Sequence, residues 1–389
     1  MNSWQKIKAV VWREVRIWRR RPIYLVASIG CLAFCATFFL TLFRDGLPHD
    51  LPIAVVDEDN SSMSRSFSQQ LDATQLGRVI KYSNFEEARE DMMRGKVTAV
   101  CLIPEGMFAD VNASRRPTFT FYYNAMYFIG GNLTYQNILT MVNLVNGAVQ
   151  RQVLRSKGMN EEEISGHIRP IQIDTHKIGN VYANYAYCLS NIMLPGFLEL
   201  IVIIILIYSL GTELKYGTSK HLMEESGGSI VIALHGKLVI YTALFTTLGF
   251  LLIVLLYHWM HFPIAGSIWN MLLGIFLLVL SAEGAAIFIL GCLPIPRLAL
   301  SIGALYSVLA FSLTGFSLTL EALPPYIQGL SVAFPLRHYY VFYVHEVIYG
   351  TGFEGWWREI VHLSCFMFLP LLVLNRLKGA YIYQNFPTN

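Results

Sequence analysis

Six apolar runs punctuate the chain, at residues 22–43, 189–210, 238–257, 268–293, 298–320 and 360–374. All but the last are about 20 residues or longer, enough to cross a bilayer core as a helix at ~1.5 Å per residue. The last is shorter, and Trp356-Trp357 mark its outer interface. Between the first two runs lies a polar insert of domain size, 44–183. Strand patterns at 52–56, 79–82, 97–103, 118–123 and 168–173 alternate there with helix patterns. Asn60 or Ser61 caps a helix running to about Ala73. Asn84 caps a helix over 85–94, with Glu86 and Glu87 in its first turn, where the helix dipole favours acids. Pro104 opens a short helix, and a longer one covers 132–156. Such alternation predicts an α/β sheet domain.

Three stretches fit neither pattern. Residues 1–21 are basic and amphipathic. Trp4, Ile7, Val11, Val15 and Trp18 recur at spacings of three and four, while Lys6, Arg13, Arg16 and Arg20 fall elsewhere. This predicts a helix lying in the cytoplasmic interface, with arginines toward anionic lipid; a plain topogenic signal is the alternative, and both can hold at once. The stretch 211–237 is polar between two spans and helix-competent over 213–225, ended by Gly227-Gly228. Residues 321–355 are too polar to span and too apolar for a free loop. Glu321, Pro324, Pro325, Pro335, Tyr339 and Tyr340 give them the character of two short re-entrant helices shielded by the bundle.

Composition agrees with a membrane protein: 54% of the 389 residues are hydrophobic and 14% charged, against ~25% charged in soluble domains. A net charge of +3 does not suggest nucleic acid. Placement of the positive charges is more informative. Lys6, Lys8, Arg13, Arg16, Arg19, Arg20 and Arg21 precede the first span, and Lys215, Lys220, Lys237, Arg297, Arg376 and Lys378 fall on the same predicted side. Six spans and the positive-inside rule place both termini in the cytoplasm and 44–183 outside. Of six cysteines only Cys101 lies in the insert, which therefore holds no internal disulfide.

Catalytic chemistry is not indicated. No G-x-x-x-x-G-K-[ST] occurs, since Gly236-Lys237 has no glycine five positions before Gly236. Nucleophile-elbow, zincin and paired-cysteine motifs are missing as well. The acidic run 57–60 fails the calcium-loop pattern, with Ser68 at the twelfth position, and reads as a capped turn. His258 and His261 read as interfacial rather than chelating. Glu199 and Glu283 lie inside spans. Ionisable groups there cost ~2.5–3.5 kcal/mol on insertion scales and face a pathway, a subunit seam or a neighbouring helix. No metal or catalytic residue is expected.

These features together resemble the permease subunit of ABC-2-type exporters, in the branch with a large extracytoplasmic domain between the first two spans. The rhythm of 52–61, 85–89 and 94–104 is similar to that domain. Glu213, Lys215, Gly217, Thr218, Lys220 and Leu222 stand where the family carries its coupling helix, although Thr212 replaces the usual arginine and Lys220 the usual second glutamate. Residues 313–328, then Phe334-Pro335-Leu336 and Tyr339-Tyr340, resemble the fifth span and re-entrant element. The resemblance implies a bacterial inner-membrane, multi-pass protein. It implies half of a conduit, a homodimer or heterodimer, and a separate ATPase subunit that binds ATP and Mg, this chain holding no cofactor. It further implies export of a drug, lipid or other secreted compound, often with a periplasmic adaptor and an outer-membrane channel. A mechanical transmitter acting on periplasmic partners and a proton-coupled carrier are the competing functions. The expected organisation is thus an α-helical integral membrane protein divided at 1–21, 22–43, 44–183 and 184–389, with a coupling helix over 213–225.

Overall fold

The computed structural model describes residues 2–44, 46, 49–74, 77–112, 115, 118–125, 128–168, 184–316 and 319–383. Two helices open the chain, α1 (Ser3–Arg20) and the apolar α2 (Ile23–Leu42). The chain divides into two units, Met1–Arg44 with Lys177–Asn389, and Asp45–His176.

The second unit comprises β1 (Leu51–Asp57), α3 (Ser62–Asp72), β2 (Gly77–Tyr82), α4 (Phe85–Met93), β3 (Ala99–Ile103), α5 (Met107–Asn112), β4 (Thr120–Tyr123), α6 (Phe128–Ser156) and α7 (Glu161–Ile168). Its sheet runs β2-β1-β3-β4, with β1 parallel to both neighbours and β4 antiparallel to β3. Central β1 is covered on both faces, which is why it reads as an unbroken apolar run. Ile53 and Val55 pack with Phe67, Leu71, Ile138 and Met141, whereas Ala54 and Val56 pack with Ala88 and Val97. Local chemistry sets the boundaries. Ser61 Oγ accepts from Ser64 N at 3.0 Å and Asn84 Oδ1 from Glu87 N at 2.8 Å. Asp57 accepts from the Asn60 N–H and the Ser64 hydroxyl, closing the acidic turn. The strand expected at 168–173 lies outside the described residues, apart from Ile168, which ends α7.

The first unit continues with α8 (Tyr185–Lys215), α9 (Ser219–Glu225), α10 (Ile230–Val254, extended by a π-turn to Trp259), α11 (Ile268–Cys292) and α12 (Pro296–Ser312). Helices α13 (Pro325–Ser331), α14 (Pro335–Tyr343), α15 (Phe353–Phe366) and α16 (Leu374–Tyr383) follow. Helices α8 and α11 form its centre, each largely buried, whereas α2 is mostly exposed and α10 is buried along one side, through residues such as Lys237, Tyr241 and Phe245. Close approach uses glycine: a Cβ on Gly284 of α11 would collide with the carbonyl oxygen of Phe366. Among the described residues, four helices are long and apolar enough to cross a membrane, namely α2, α8, Ile230–Trp259 and α11. The pair Phe353–Leu372 and Leu374–Tyr383, bent by 41°, adds a fifth if taken as one span.

Several expectations change here. In the run at 298–320 the α-helix ends at Ser312, and the chain then turns at Gly315, whose φ is +91°. The run at 360–374 breaks between α15 and α16 at a 3₁₀ turn containing Pro370. The helix expected over 213–225 is two helices: α8 runs on to Lys215, and α9 starts at Ser219. Gly217 between them has φ +68°, a left-handed conformation that ends a helix. Finally, α10 begins at Ile230 rather than near 238, which moves Lys237 from a loop into a helix.

Candidate functional site

Where α1, α8, α9, α10 and α16 meet, three buried charged side chains, Glu14, Glu213 and Lys237, gather with the partly buried Arg13. Arg13 on α1 grips Glu213 at the end of α8 with both guanidinium nitrogens, at 2.9 and 2.8 Å. Lys237 on α10 donates to Glu14 at 2.8 Å and to Glu213 at 2.9 Å. Arg13 also reaches Glu14 at 3.3 Å, and Glu225 of α9 stands 3.7 Å from it at the rim. Glu14 and Lys237 are 0% and 1% exposed, so two cations and two anions neutralise each other almost without water. Burial alone would lower the pKa of Arg13; the hydrogen bond and charge of Glu213 outweigh it, and the net shift is upward.

The surroundings fix this cluster. A Cβ on Gly236 would meet Val10 at 2.7 Å, so glycine lets α1 lie directly against α10. The Trp18 indole donates to Tyr241, whose hydroxyl donates to Ser209. Ser219 at the start of α9 donates to the carbonyl of Tyr381, whose hydroxyl in turn reaches the carbonyl of Leu210. Helix α1 therefore packs through Val10, Glu14 and Trp18, while Trp4 and Trp12 stay exposed at 75% and 58%. The expected stripe through Val11 and Val15 is displaced because Glu14, the only acidic residue among the first 44, needs the buried lysine.

The coupling candidates separate into two groups. Glu213 and Leu222 are buried inside the unit, and Lys215, Gly217, Thr218 and Lys220 are exposed. The Thr218 hydroxyl donates to Glu213, tying the exposed turn to the buried cluster. Tyr216 lies beneath the guanidinium of Arg21 and the ammonium of Lys215. Gly217 therefore has a local backbone reason to be glycine, and open space surrounds it.

Glu199 and Glu283 do not come together. Glu199 on α8 faces the N-terminus of α14 beside the backbone N–H of Leu336, where a helix dipole favours an anion. Its Oε1 is buried with no hydrogen-bond partner. Glu283 on α11 faces α10, and both of its oxygens share the single hydroxyl hydrogen of Thr242, at 3.0 and 2.8 Å. Of the re-entrant candidates, Pro335 and Tyr339 are buried and Tyr340 half-buried, whereas Glu321, Pro324 and Pro325 are exposed.

Two constellations went unread in the sequence. Glu346, in the π-turn Val344–Tyr349 that follows α14, accepts from the Ser267 N–H, the Asn270 amide and the Trp356 indole, joining the start of α11 to α15. His338, Glu359 and His362 bring potential metal-ligand atoms within 4.8 Å of one another. Both nitrogens of His338 are already engaged, by Glu359 at 2.6 Å and the Val332 carbonyl at 3.0 Å. The two imidazoles stack at 4.6 Å, 12° from parallel. Stacked rings do not aim two nitrogens at one ion about 2.0 Å from each, so the cluster reads as a buried histidine–carboxylate pair. The Glu359-x-x-His362 spacing was its one sequence signal.

Residues 22–374 match the family model described as ABC-2 family transporter protein. A comparison with curated proteins finds no match.

Proposed function

This chain belongs to the ABC-2 transporter family, and from that premise we propose that it is the membrane-spanning half of an ATP-driven exporter. It is a multi-pass membrane protein without a nucleotide-binding domain of its own. A separate ATPase subunit would bind ATP and Mg, and a second copy or a related chain would complete the conduit. In this reading α2, α8, α10, α11, α12 and the α15 region cross a bacterial inner membrane six times. Both termini are then cytoplasmic, and the unit Asp45–His176 is periplasmic, available to an adaptor and an outer-membrane channel. The cargo class is a drug, lipid or other amphiphilic or secreted compound.

One observation carries the coupling part of this reading. The exposed turn 215–218 is the direct continuation of α8, the buried central helix, and Glu213 at its root is clamped by Arg13 and Lys237. A push on that turn would pass into α8 and α10 as a rigid-body movement rather than be lost in a flexible linker. The test uses two variants of Gly217. Gly217→Asn keeps the left-handed conformation with little added bulk. Gly217→Trp adds bulk on the exposed side, at a strain of ~1–2 kcal/mol. Co-purification with the ATPase and ATP-dependent transport should survive Asn and fall with Trp, with membrane insertion intact in both. Normal ATPase binding and transport in the Trp variant would remove the coupling assignment.

A further inference from the structure

The buried acids of the membrane unit differ in how well they are satisfied. Glu213 is ion-paired, and Glu346 accepts three donors. Glu283, 3% exposed, has among the described residues only the Thr242 hydroxyl, one hydrogen for a carboxylate that can accept about four bonds. That acid lies in the wall of a cavity of about 660 Å³ between α10, α11 and the 367–374 segment. The volume falls within the ~300–1,000 Å³ of small-molecule sites. Leu238, Phe276, Leu280, Ile287 and Leu371 make its lining overwhelmingly apolar. A second polar group lines it without a partner: Thr246 Oγ1 is buried and unbonded among the described residues. No lysine or arginine is among the lining residues.

An apolar trough with one under-coordinated carboxylate, no lysine or arginine, and a single exposed histidine, His235, whose Nδ1 lies 3.0 Å from the Val231 carbonyl, is complementary to a molecule with the opposite pattern. We propose that this cavity binds a long-chain amine, with the hydrocarbon chain along the apolar wall and the ammonium on Glu283. The ammonium offers three donors, enough for the carboxylate and for the orphan hydroxyl of Thr246. A plain phospholipid chain would fill the trough without answering the acid, and an anionic headgroup would be repelled. The proposal extends the export reading by naming a cargo class, but binding needs neither ATP nor a partner, so either can fail without the other.

The test is photolabelling of the full chain in phosphatidylcholine nanodiscs. The probes are a diazirine-bearing hexadecylamine and the hexadecanol of identical chain. Labelled peptides from α10, α11 and 367–374 are quantified by mass spectrometry. The amine should label them about ten-fold more than the alcohol, the factor expected of a charge-assisted contact. Glu283→Gln should bring the amine down to the level of the alcohol. Ala243→Trp, which fills the trough from an exposed position, should suppress both probes. Equal labelling by amine and alcohol in the wild-type protein identifies an ordinary lipid groove and overturns the proposal, whether or not the glutamine variant folds. An amine excess that survives Glu283→Gln overturns it as well.

Discussion

Lys237→Met is the sharpest perturbation of the buried charge cluster. The ammonium lies 2.8 Å from Glu14 and 2.9 Å from Glu213, and the side chain is 2% exposed. At an effective dielectric of about 20, each contact is worth about 6 kcal/mol of attraction before desolvation. Removing the cation leaves two buried carboxylates with Arg13 alone, whose two-pronged grip is on Glu213. Orphaning one partner of a buried pair costs ~3–5 kcal/mol, and that is the expected loss here. Methionine nearly matches the lysine stem, so cavity formation contributes little. Exchanging Glu14 together with Lys237 for methionine removes one charge of each sign and leaves the Arg13–Glu213 pair whole. An apolar replacement of a complete buried pair is neutral or stabilising, so the double variant should return to within ~1 kcal/mol of wild type. Equilibrium unfolding in mixed micelles of detergent and SDS, followed by tryptophan fluorescence, measures all four corners of the cycle. A cost below ~1 kcal/mol for Lys237→Met, or a double variant no better than the single, would refute the buried-cluster argument.

Three further outcomes are expected. Cys101 is 0% exposed and burial pushes its thiol up to about 12, so it should resist maleimide at pH 8 until the protein is denatured. Ser62→Cys, on an exposed helix position, should label freely, and from outside the cell if the proposed topology holds. Glu199→Gln should keep stability within ~1 kcal/mol, whereas Glu199→Leu, which strips the acceptor from the N-terminus of α14, should cost ~1–3 kcal/mol; equal and negligible effects would mean the acid does not cap that helix. Hydrogen bonds from Lys96 and Tyr82 hold the Asp91 carboxylate below its ordinary range. That contribution is present above the ordinary aspartate value near ~3.9 and is lost as pH falls through the lowered one. The stability deficit of Lys96→Met should therefore be full at neutral pH and vanish in acid; a deficit independent of pH would contradict the pairing.

The elements most legible in the sequence were those whose causes are local. Ser61 and Asn84 cap their helices with their own side chains, and the apolar run at β1 follows from its two covered faces. The central apolar helices are likewise set by length and composition alone. Legibility ended where a partner distant in sequence decides the outcome. Lys237 reads as a flanking charge because nothing near it balances it; its partner Glu14 is 223 positions away. With that acid in place, α10 can begin at Ile230 and carry a buried ammonium into the unit. Gly217 reads as a costly mid-helix residue until its positive φ shows a helix end. Glu199 and Glu283 are alike in the sequence, each a lone acid in an apolar run, yet one faces a helix N-terminus and the other an apolar trough. Hydropathy reports how much of a segment will leave water, whereas the environment of each buried charge is set by the helices packed against it, and only the tertiary structure brings those together.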